Sequence, residues 1–242
     1  MLSHVDLCSG IGGFALGFQW AGLSKPVLFC DIEPWSRKVL AKHWPDVPIA
    51  EDVKELANDP DGLIPRTDPK RTILTAGYPC QPFSHAGKRL GQEDDRHIWP
   101  YLLQIVAQKR PAWCCFENVY GHVSMGLDQV LFDLEGQGYA SRTFIVPACA
   151  VDAPHRRDRV FVIAKDVSDT DSPRCEEQRR SQPAQEKHQA PQCRSGWLTE
   201  PPVGRVAHGI PKRVDRLRGL GNAIVPQIAQ KIGQAIKASI DA

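Results

Sequence analysis

A single cysteine stands between two prolines in the stretch YPCQP. Cys80 directly follows Pro79, and Pro82 comes two residues later. Each proline fixes its own φ and restricts the residue before it, so the thiol is predicted to lie in a stiff, extended turn. A thiol held in this way can act as a nucleophile. The alternative is a buried structural cysteine in a tight loop, which is the commoner environment of a free cysteine.

An acidic motif ends one predicted strand, and a basic motif begins another. Glu117 lies in FENV, at the end of a predicted strand, and Arg157 and Arg159 alternate in PHRRDRV. Because the carboxyl ends of parallel strands meet at one edge, Glu117 and Cys80 are predicted to face one site, where a carboxyl could perform acid/base chemistry beside a thiol. The two arginines could present fixed cations to one target. The alternatives are a glutamate that caps a turn and a salt-bridged edge strand.

A glycine cluster follows the first predicted strand. Gly10, Gly12 and Gly13 have the spacing G-x-G-G, which differs from the dinucleotide fingerprint G-x-G-x-x-G. Asp31 ends the next predicted strand, about twenty residues further on, where an acidic side chain can accept both hydroxyls of a ribose. Together these residues favour a nucleoside-containing cofactor without an essential diphosphate over a plain tight turn.

Strand-like and helix-like patterns alternate around these motifs. Strands are predicted over residues 4–9, 25–32, 72–79, 112–119, 141–148 and 159–165, and helices over 14–22, 34–44, 98–110, 126–139 and 222–240. This order predicts an α/β fold: a Rossmann-like, mostly parallel sheet with helices on both faces, together with a reduced small lobe. In the last helix, isoleucines recur every four residues, at 224, 228, 232, 236 and 240.

Composition narrows the class of protein. The chain has 242 residues, enough for one sizeable core, and its eight cysteines contain no C-x-x-C pair. This indicates reduced cysteines, no metal site and no disulfide framework. No apolar run approaches the ~18 residues of a membrane span, and the start lacks the features of a signal peptide. We therefore expect a soluble, cytoplasmic protein without a membrane partner.

Positive charge is concentrated in one segment. Residues 174–218 carry ten Lys/Arg and five Asp/Glu, and the net charge of the whole chain is +2, which leaves −3 for the rest. Such asymmetry favours a surface that faces a polyanion, although a solvated charged face is the commoner explanation.

Five motifs in order resemble those of the cytosine-C5 DNA methyltransferases. They are DLCSGIGG, GYPCQPFS, FENV, PHRRDRV and LGNAIVP, and they span nearly all of the chain except about 166–211. The resemblance implies the fold of S-adenosylmethionine-dependent methyltransferases, with a catalytic domain over 1–165, a short target-recognition region over 166–213, and a C-terminal segment over 214–242 that packs back on the catalytic domain.

The same resemblance implies S-adenosyl-L-methionine as the cofactor. Asp31 would bind the ribose, Ile32 the adenine face and Asp52 the adenine amine. Cys8 stands where the family often has an aromatic residue. The remaining implied contacts are Gly10, Gly12, Gly13, Pro79, Asn222 and Val225.

The implied chemistry assigns a role to each catalytic residue. The Cys80 thiolate would add to carbon 6 of cytosine, and Glu117 would protonate or hydrogen-bond N3. Arg159 would hold O2, with Arg157 organising the same pocket. Because none of these atoms is accessible in a stacked duplex, the base must be flipped out.

Double-stranded DNA is the implied partner of a monomeric enzyme. Residues 84–100 resemble the family's mobile loop, with His97 where a glycine is usual, and residues 166–213 fall where the family reads its target. A cognate restriction endonuclease cannot be inferred from this chain. The expected DNA contacts are Gln81, Ser84, Lys88, Arg89, Arg96, Arg205, Lys212 and Arg213.

Two other functions and one other role for the basic segment remain open. One function is RNA cytosine methylation, although the Cys-Phe-Thr signature of that branch is absent. The other is a non-catalytic DNA-binding relative, which would not need Cys80, Glu117 or Arg159. The polar, Pro-rich composition of the segment is also compatible with a disordered linker.

Overall fold

A seven-stranded sheet forms the centre of the structure, a computed structural model that describes residues 1–79, 98–168 and 223–241. The strand order is β3-β2-β1-β4-β5-β7-β6. The first five strands of this order run parallel, and β7 is antiparallel to both of its neighbours. The strands are β1 (Leu2–Leu7), β2 (Ser24–Cys30), β3 (Ile49–Ala50), β4 (Thr72–Gly77), β5 (Trp113–Val119), β6 (Tyr139–Pro147) and β7 (Asp158–Asp166).

Helices cover both faces of this sheet. One core cluster joins strand residues to α3, α5 and α7, and a second joins strand residues on the opposite face to α1 and α8. This confirms the predicted fold class. The helices of the described residues are α1 (Gly13–Trp20), α2 (Pro34–His43), α3 (Val53–Asn58), α4 (Pro60–Leu63), α5 (Trp99–Lys109), α6 (His122–Met125), α7 (Leu127–Gly136) and α8 (Pro226–Asp241).

The strand order reverses between β1 and β4. Strands β2 and β3 extend the sheet to one side of β1, whereas β4 and β5 extend it to the other. In open α/β sheets such a switch point leaves a crevice beyond the carboxyl ends of the strands, where ligands bind. The glycine turn after β1 and the turn that leads from β4 toward Cys80 both leave the sheet here. We call this side of the sheet the site edge.

Small residues let α8 pack closely on α1. A Cβ added to Gly17 would lie 2.3 Å from the Pro226 carbonyl oxygen, and one added to Gly233 would lie 2.9 Å from the Ala21 Cβ. Real side chains do not make such contacts, so glycine is required for the two backbones to approach. This packing holds the start of α8, and with it residues 223–225, against the site edge.

Several details differ from the sequence-based expectations, among them the short helices α3, α4 and α6, which were not predicted. Strand β3 has two residues and was not predicted, because no alternation can be recognised over so short a run. The last helix begins at Pro226, so Ile224 precedes it. Ile240 continues the four-residue repeat but is exposed. None of the helices in the described ranges is long and apolar enough to cross a bilayer.

Candidate active site

A buried ion pair lies at the end of β5. Glu117 pairs with the neighbouring strand β7, and its Oε1 accepts a hydrogen bond from Nε of Arg159 at 2.8 Å. Glu117 is only 7% exposed, and this burial raises its pKa to about 7, against the opposing effects of Arg159 and Arg157. A carboxyl with this pKa can give up or take up a proton near neutral pH. Two of the predicted catalytic residues are therefore in direct contact.

Arg157 joins this pair to the C-terminal segment. Its Nη2 donates a hydrogen bond to the carbonyl of Ala223 at 2.8 Å. Burial lowers the pKa of Arg157, and neighbouring Arg159 lowers it further. The residue has a φ of +37°, a conformation that non-glycine residues rarely adopt. The strained backbone places the guanidinium between Glu117 and the segment that precedes α8.

The three glycines of the first motif have different environments. Gly10 has a φ of +55° and open space where a Cβ would be. Gly12 has a φ of +84° and packs against the ring of Trp44, whereas Gly13 lies against the carbonyl oxygen of Ile224, 2.5 Å from an added Cβ. Of the three glycines, only Gly10 has open space beside its Cα, where a ligand could approach the backbone. Gly12 and Gly13 are needed for packing within the protein.

Asp31 is bound to the glycine turn at the end of β2. Its Oδ2 accepts from the backbone N–H of Gly10 at 2.7 Å, and its Oδ1 accepts from that of Glu33 at 2.9 Å. Burial is the main cause of its raised pKa. These bonds fix the carboxylate, and each oxygen retains a lone pair that could accept a ribose hydroxyl.

Other predicted cofactor residues surround this turn. Ile32 directly follows Asp31 and is 69% exposed. An exposed apolar side chain at this position is available to cover a bound ligand. Asp52 caps α3, its Oδ1 accepting from the N–H of Lys54 at 2.9 Å. Cys8 has a positive φ and is partly buried, and burial raises the pKa of its thiol. Val225 lies just before α8.

The turn that leads to Cys80 is anchored by an aromatic cluster. The Tyr78 hydroxyl lies 3.0 Å from Nε2 of His122, and the Tyr78 ring contacts those of Trp99 and Phe116. Exposed Pro79 follows. The stiff turn predicted around Cys80 therefore begins from a fixed residue. The tyrosine–histidine pair was not predicted, since 44 residues separate its members.

A second polar network that the sequence-based reasoning missed lies beneath the glycine turn. Thr75 donates to Oδ1 of Asp6 at 2.6 Å, and Nε2 of His4 lies 2.8 Å from the same hydroxyl. Burial lowers the pKa of His4 to about 3 and raises that of Asp6 to about 8, and so disfavours the charged form of both side chains. The sequence signal that could have revealed this network is the pair of polar residues, His4 and Asp6, at alternate positions of an otherwise apolar strand.

Several predicted residues lie outside the described parts of the chain. They are the proposed nucleophile Cys80, the cofactor residue Asn222 and all of the expected DNA contacts. The residues that carry these predictions are Cys80, Gln81, Ser84, Lys88, Arg89, Arg96, Arg205, Lys212, Arg213 and Asn222.

Solved structures that resemble this fold include methyltransferases. A putative DNA modification methyltransferase encoded within a prophage of E. coli is 26% identical, with a TM-score of 0.58 over 69% of this chain and 47% of that chain. The S. pombe Dnmt2 methyltransferase is 23% identical, with a TM-score of 0.58 over 69% of this chain and 51% of that chain. The sheet and its site edge thus have the architecture of a methyltransferase.

Sequence comparison places the chain in one family of that class. A family model for C-5 cytosine-specific DNA methylases matches residues 2–197. The chain therefore belongs to the C-5 cytosine-specific DNA methylase family, and the resemblance recognised from the five motifs is confirmed.

Curated relatives of this chain are type II methyltransferases. M2.BsuMI of Bacillus subtilis (strain 168) is 34% identical over 172 residues, which cover 66% of this chain and 41% of that protein. M.NgoBI of Neisseria gonorrhoeae is 31% identical over 168 residues, which cover 67% of this chain and 50% of that protein. The matched part of the chain thus spans half the length of these relatives or less.

Proposed function

We propose that the chain is a DNA (cytosine-5-)-methyltransferase, which transfers a methyl group from S-adenosyl-L-methionine to carbon 5 of a flipped-out cytosine. The observation that carries this proposal is the buried Glu117–Arg159 pair, 2.8 Å apart at the edge where the turn toward Cys80 leaves the sheet. Family membership supports the same assignment.

The residues around the glycine turn fit the cofactor. Space is open at Gly10, Asp31 holds a fixed carboxylate beside it, and the apolar side chain of Ile32 is exposed next to both. Asp31 would bind the ribose, and Ile32 would cover the adenine. Asp52, Cys8, Pro79, Asn222 and Val225 would complete the site. When bound, S-adenosyl-L-methionine supplies the methyl group as an electrophile.

The protein's residues make carbon 5 reactive. Addition of the Cys80 thiolate to carbon 6 pushes an electron pair toward N3, where Glu117 delivers a proton, and Arg159 stabilises the charge that develops at O2. Carbon 5 then accepts the methyl group. Loss of the proton from carbon 5, departure of the Cys80 thiolate and return of the N3 proton to Glu117 then restore the aromatic ring. A pKa of about 7 suits Glu117 to this step, because an ionised carboxylate could not donate the proton.

DNA would be held by the remaining predicted contacts. Flipping the base costs a few kcal/mol, which binding must offset. We assign the loop contacts Gln81, Ser84, Lys88, Arg89 and Arg96 to the flipped base and its surroundings. The domain boundaries remain those inferred from the sequence, with recognition in 166–213 through Arg205, Lys212 and Arg213. The protein is proposed to act on double-stranded DNA as a cytoplasmic monomer.

Methyl transfer from labelled cofactor tests this proposal. The wild type should label double-stranded DNA at carbon 5 of cytosine and leave transfer RNA unlabelled. Cys80→Ser should abolish labelling, because a serine hydroxyl is far less ionised than a thiol. Cys149→Ser, at a partly buried cysteine outside the site, is the matched control and should retain activity.

Three outcomes would contradict the proposal. Labelling of RNA alone would place the chain in the RNA branch of the family. DNA binding without any transfer would make it a non-catalytic relative. Full activity of Cys80→Ser would exclude the proposed nucleophile.

A further inference from the structure

The side chain of Trp44 packs against the glycine turn. Trp44 directly follows α2, where its backbone N–H donates to the carbonyl of Leu40 at 2.8 Å. A Cβ added to Gly12 would lie 2.6 Å from Cζ3 and 2.7 Å from Cη2 of the Trp44 ring. Such short distances mean that the ring lies against the backbone of Gly12 itself. A larger residue at position 12 would have to displace the ring.

Two further contacts fix the ring. Its Nε1 donates a hydrogen bond to Oε1 of Gln19, near the end of α1, at 3.0 Å. The centroids of the Trp44 ring and of the buried Phe29 ring on β2 are 5.1 Å apart. Trp44 also packs against the core cluster formed by Phe29, Ala15 and Leu40. The ring is therefore held between α1 and β2.

These two elements carry the candidate cofactor residues. Gly10 lies in the turn before α1 and Asp31 follows β2, and the N–H of Gly10 donates to Oδ2 of Asp31 at 2.7 Å. Trp44 contacts the turn at Gly12, two residues after Gly10. It contacts β2 at Phe29, two residues before Asp31. The ring therefore braces the junction that the Gly10–Asp31 hydrogen bond closes.

We propose that Trp44 is a positioning residue for the cofactor, which holds the glycine turn and Asp31 in the relative arrangement that binding requires. A large and rigid ring suits this role, because it covers much area and loses little conformational entropy when it is fixed. The role in cofactor binding rests on the proposed function. The effect on the turn does not, because protection of the Gly10 N–H from hydrogen exchange can be measured without any cofactor.

Hydrogen exchange of the free protein and calorimetric titration with S-adenosyl-L-methionine test these two parts. Trp44→Ala should speed exchange of the Gly10 amide and raise the dissociation constant of the cofactor, each about tenfold. The single-turnover rate at saturating cofactor and DNA should stay the same, because the proposed catalytic residues are unchanged. Trp113→Ala is the matched control, since it removes another partly buried ring, at the start of β5, and it should leave all three quantities unchanged.

A double-mutant cycle with Gly12→Ala tests whether the ring acts through its contact with the turn. In the wild-type background the added methyl group meets the ring, whereas in Trp44→Ala only the strain of alanine at a φ of +84° and the contact with Leu40 remain. Gly12→Ala should therefore weaken cofactor binding by a larger factor in the wild-type background than in Trp44→Ala.

If Trp44→Ala does not fold, Trp44→Leu provides the second variant, because it keeps apolar volume but lacks the ring and its Nε1 donor. Unchanged exchange at Gly10 or an unchanged dissociation constant in the folded Trp44 variants would overturn the inference. Equal effects of Trp113→Ala, or equal factors in the cycle, would also overturn it. Faster exchange in Trp44→Ala without any cofactor binding by the wild type would contradict the proposed function and restrict Trp44 to a structural role.

Discussion

Two arginine–carboxylate pairs lie at opposite edges of the sheet and differ in their burial and in the polar partners that the described residues provide. At the edge opposite the site, Nη2 of Arg110 donates to Asp166 at 2.7 Å and to Ser168 at 2.8 Å, and Nη1 donates to the carbonyl of Gln137. The guanidinium also lies over the ring of Tyr139. Asp166 further accepts from the N–H and hydroxyl of Ser168. Arg110, Asp166 and Ser168 each make two or more hydrogen bonds within this cluster.

The pair at the site edge is more deeply buried: the side chains of Arg159 and Glu117 are 21% and 9% exposed, against 29% and 17% for Arg110 and Asp166. Oε1 of Glu117 accepts a hydrogen bond from Nε of Arg159, and burial raises the pKa of Glu117 to about 7. A partly exposed pair with several polar partners serves the fold, whereas a buried carboxyl with a raised pKa costs stability and is suited to proton transfer. We therefore expect the Arg110–Asp166 pair to be structural and the Glu117–Arg159 pair to take part in the proposed chemistry.

The largest predicted effect is on catalysis at the site edge. Glu117→Gln should slow methyl transfer by about 10²–10⁴-fold, because the amide cannot deliver a proton to N3. Asp166→Asn, the matched change at the opposite edge, should leave the rate of the folded protein unchanged. Single-turnover rates at saturating cofactor and DNA measure both. Equal losses in the two variants would remove the distinction between the edges.

The pH dependence of stability should also differ between wild type and Glu117→Gln. The pKa of Glu117 is raised from 4.5 to about 7 in the folded protein, so its stabilising contribution is complete below pH 4.5 and lost as the pH rises through 7. Over this range the wild type should lose roughly 3 kcal/mol of unfolding free energy relative to the variant. Urea denaturation at several pH values measures this, and parallel curves would contradict it.

Arg110→Ala should destabilise the protein without affecting the reaction. The side chains of Arg110 and Asp166 are 29% and 17% exposed, so the expected loss of about 2 kcal/mol is below the ~3–5 kcal/mol of a fully buried pair. Thermal and urea denaturation report the loss, and methyl transfer per folded molecule should match the wild type. A fall in that rate with unchanged stability would reverse the assigned roles.

The smallest predicted effect tests a polar pair within the site edge. Tyr78→Phe leaves Nε2 of His122 without its 3.0 Å partner, and should reduce the unfolding free energy by about 1 kcal/mol. Tyr120→Phe, at an exposed tyrosine, is the control and should have no effect. If both variants behave alike, the tyrosine–histidine pair does not anchor the turn toward Cys80.

Local patterns were enough to predict most of the fold. Six of the seven strands followed from apolar runs, and the strand-end positions of Glu117 and Asp31 followed from the same runs. The strand that was not predicted, Ile49–Ala50, has too few residues to show an alternation of apolar and polar side chains. Contacts between residues far apart in sequence, such as Arg157 with Ala223, depend on packing that no local pattern contains. The glycines were predicted as ligand contacts, and two of them also have packing roles that only the three-dimensional arrangement reveals.

Covalent trapping on DNA that contains 5-fluorocytosine tests the central claim most directly. Fluorine cannot leave carbon 5 as the proton does, so the wild type should form a stable complex with this DNA in the presence of S-adenosyl-L-methionine, and mass spectrometry of its peptides should locate the bond at Cys80. Cys80→Ser should form no such complex. A bond at another residue, or methyl transfer to ordinary cytosine without any trapped complex, would contradict the account.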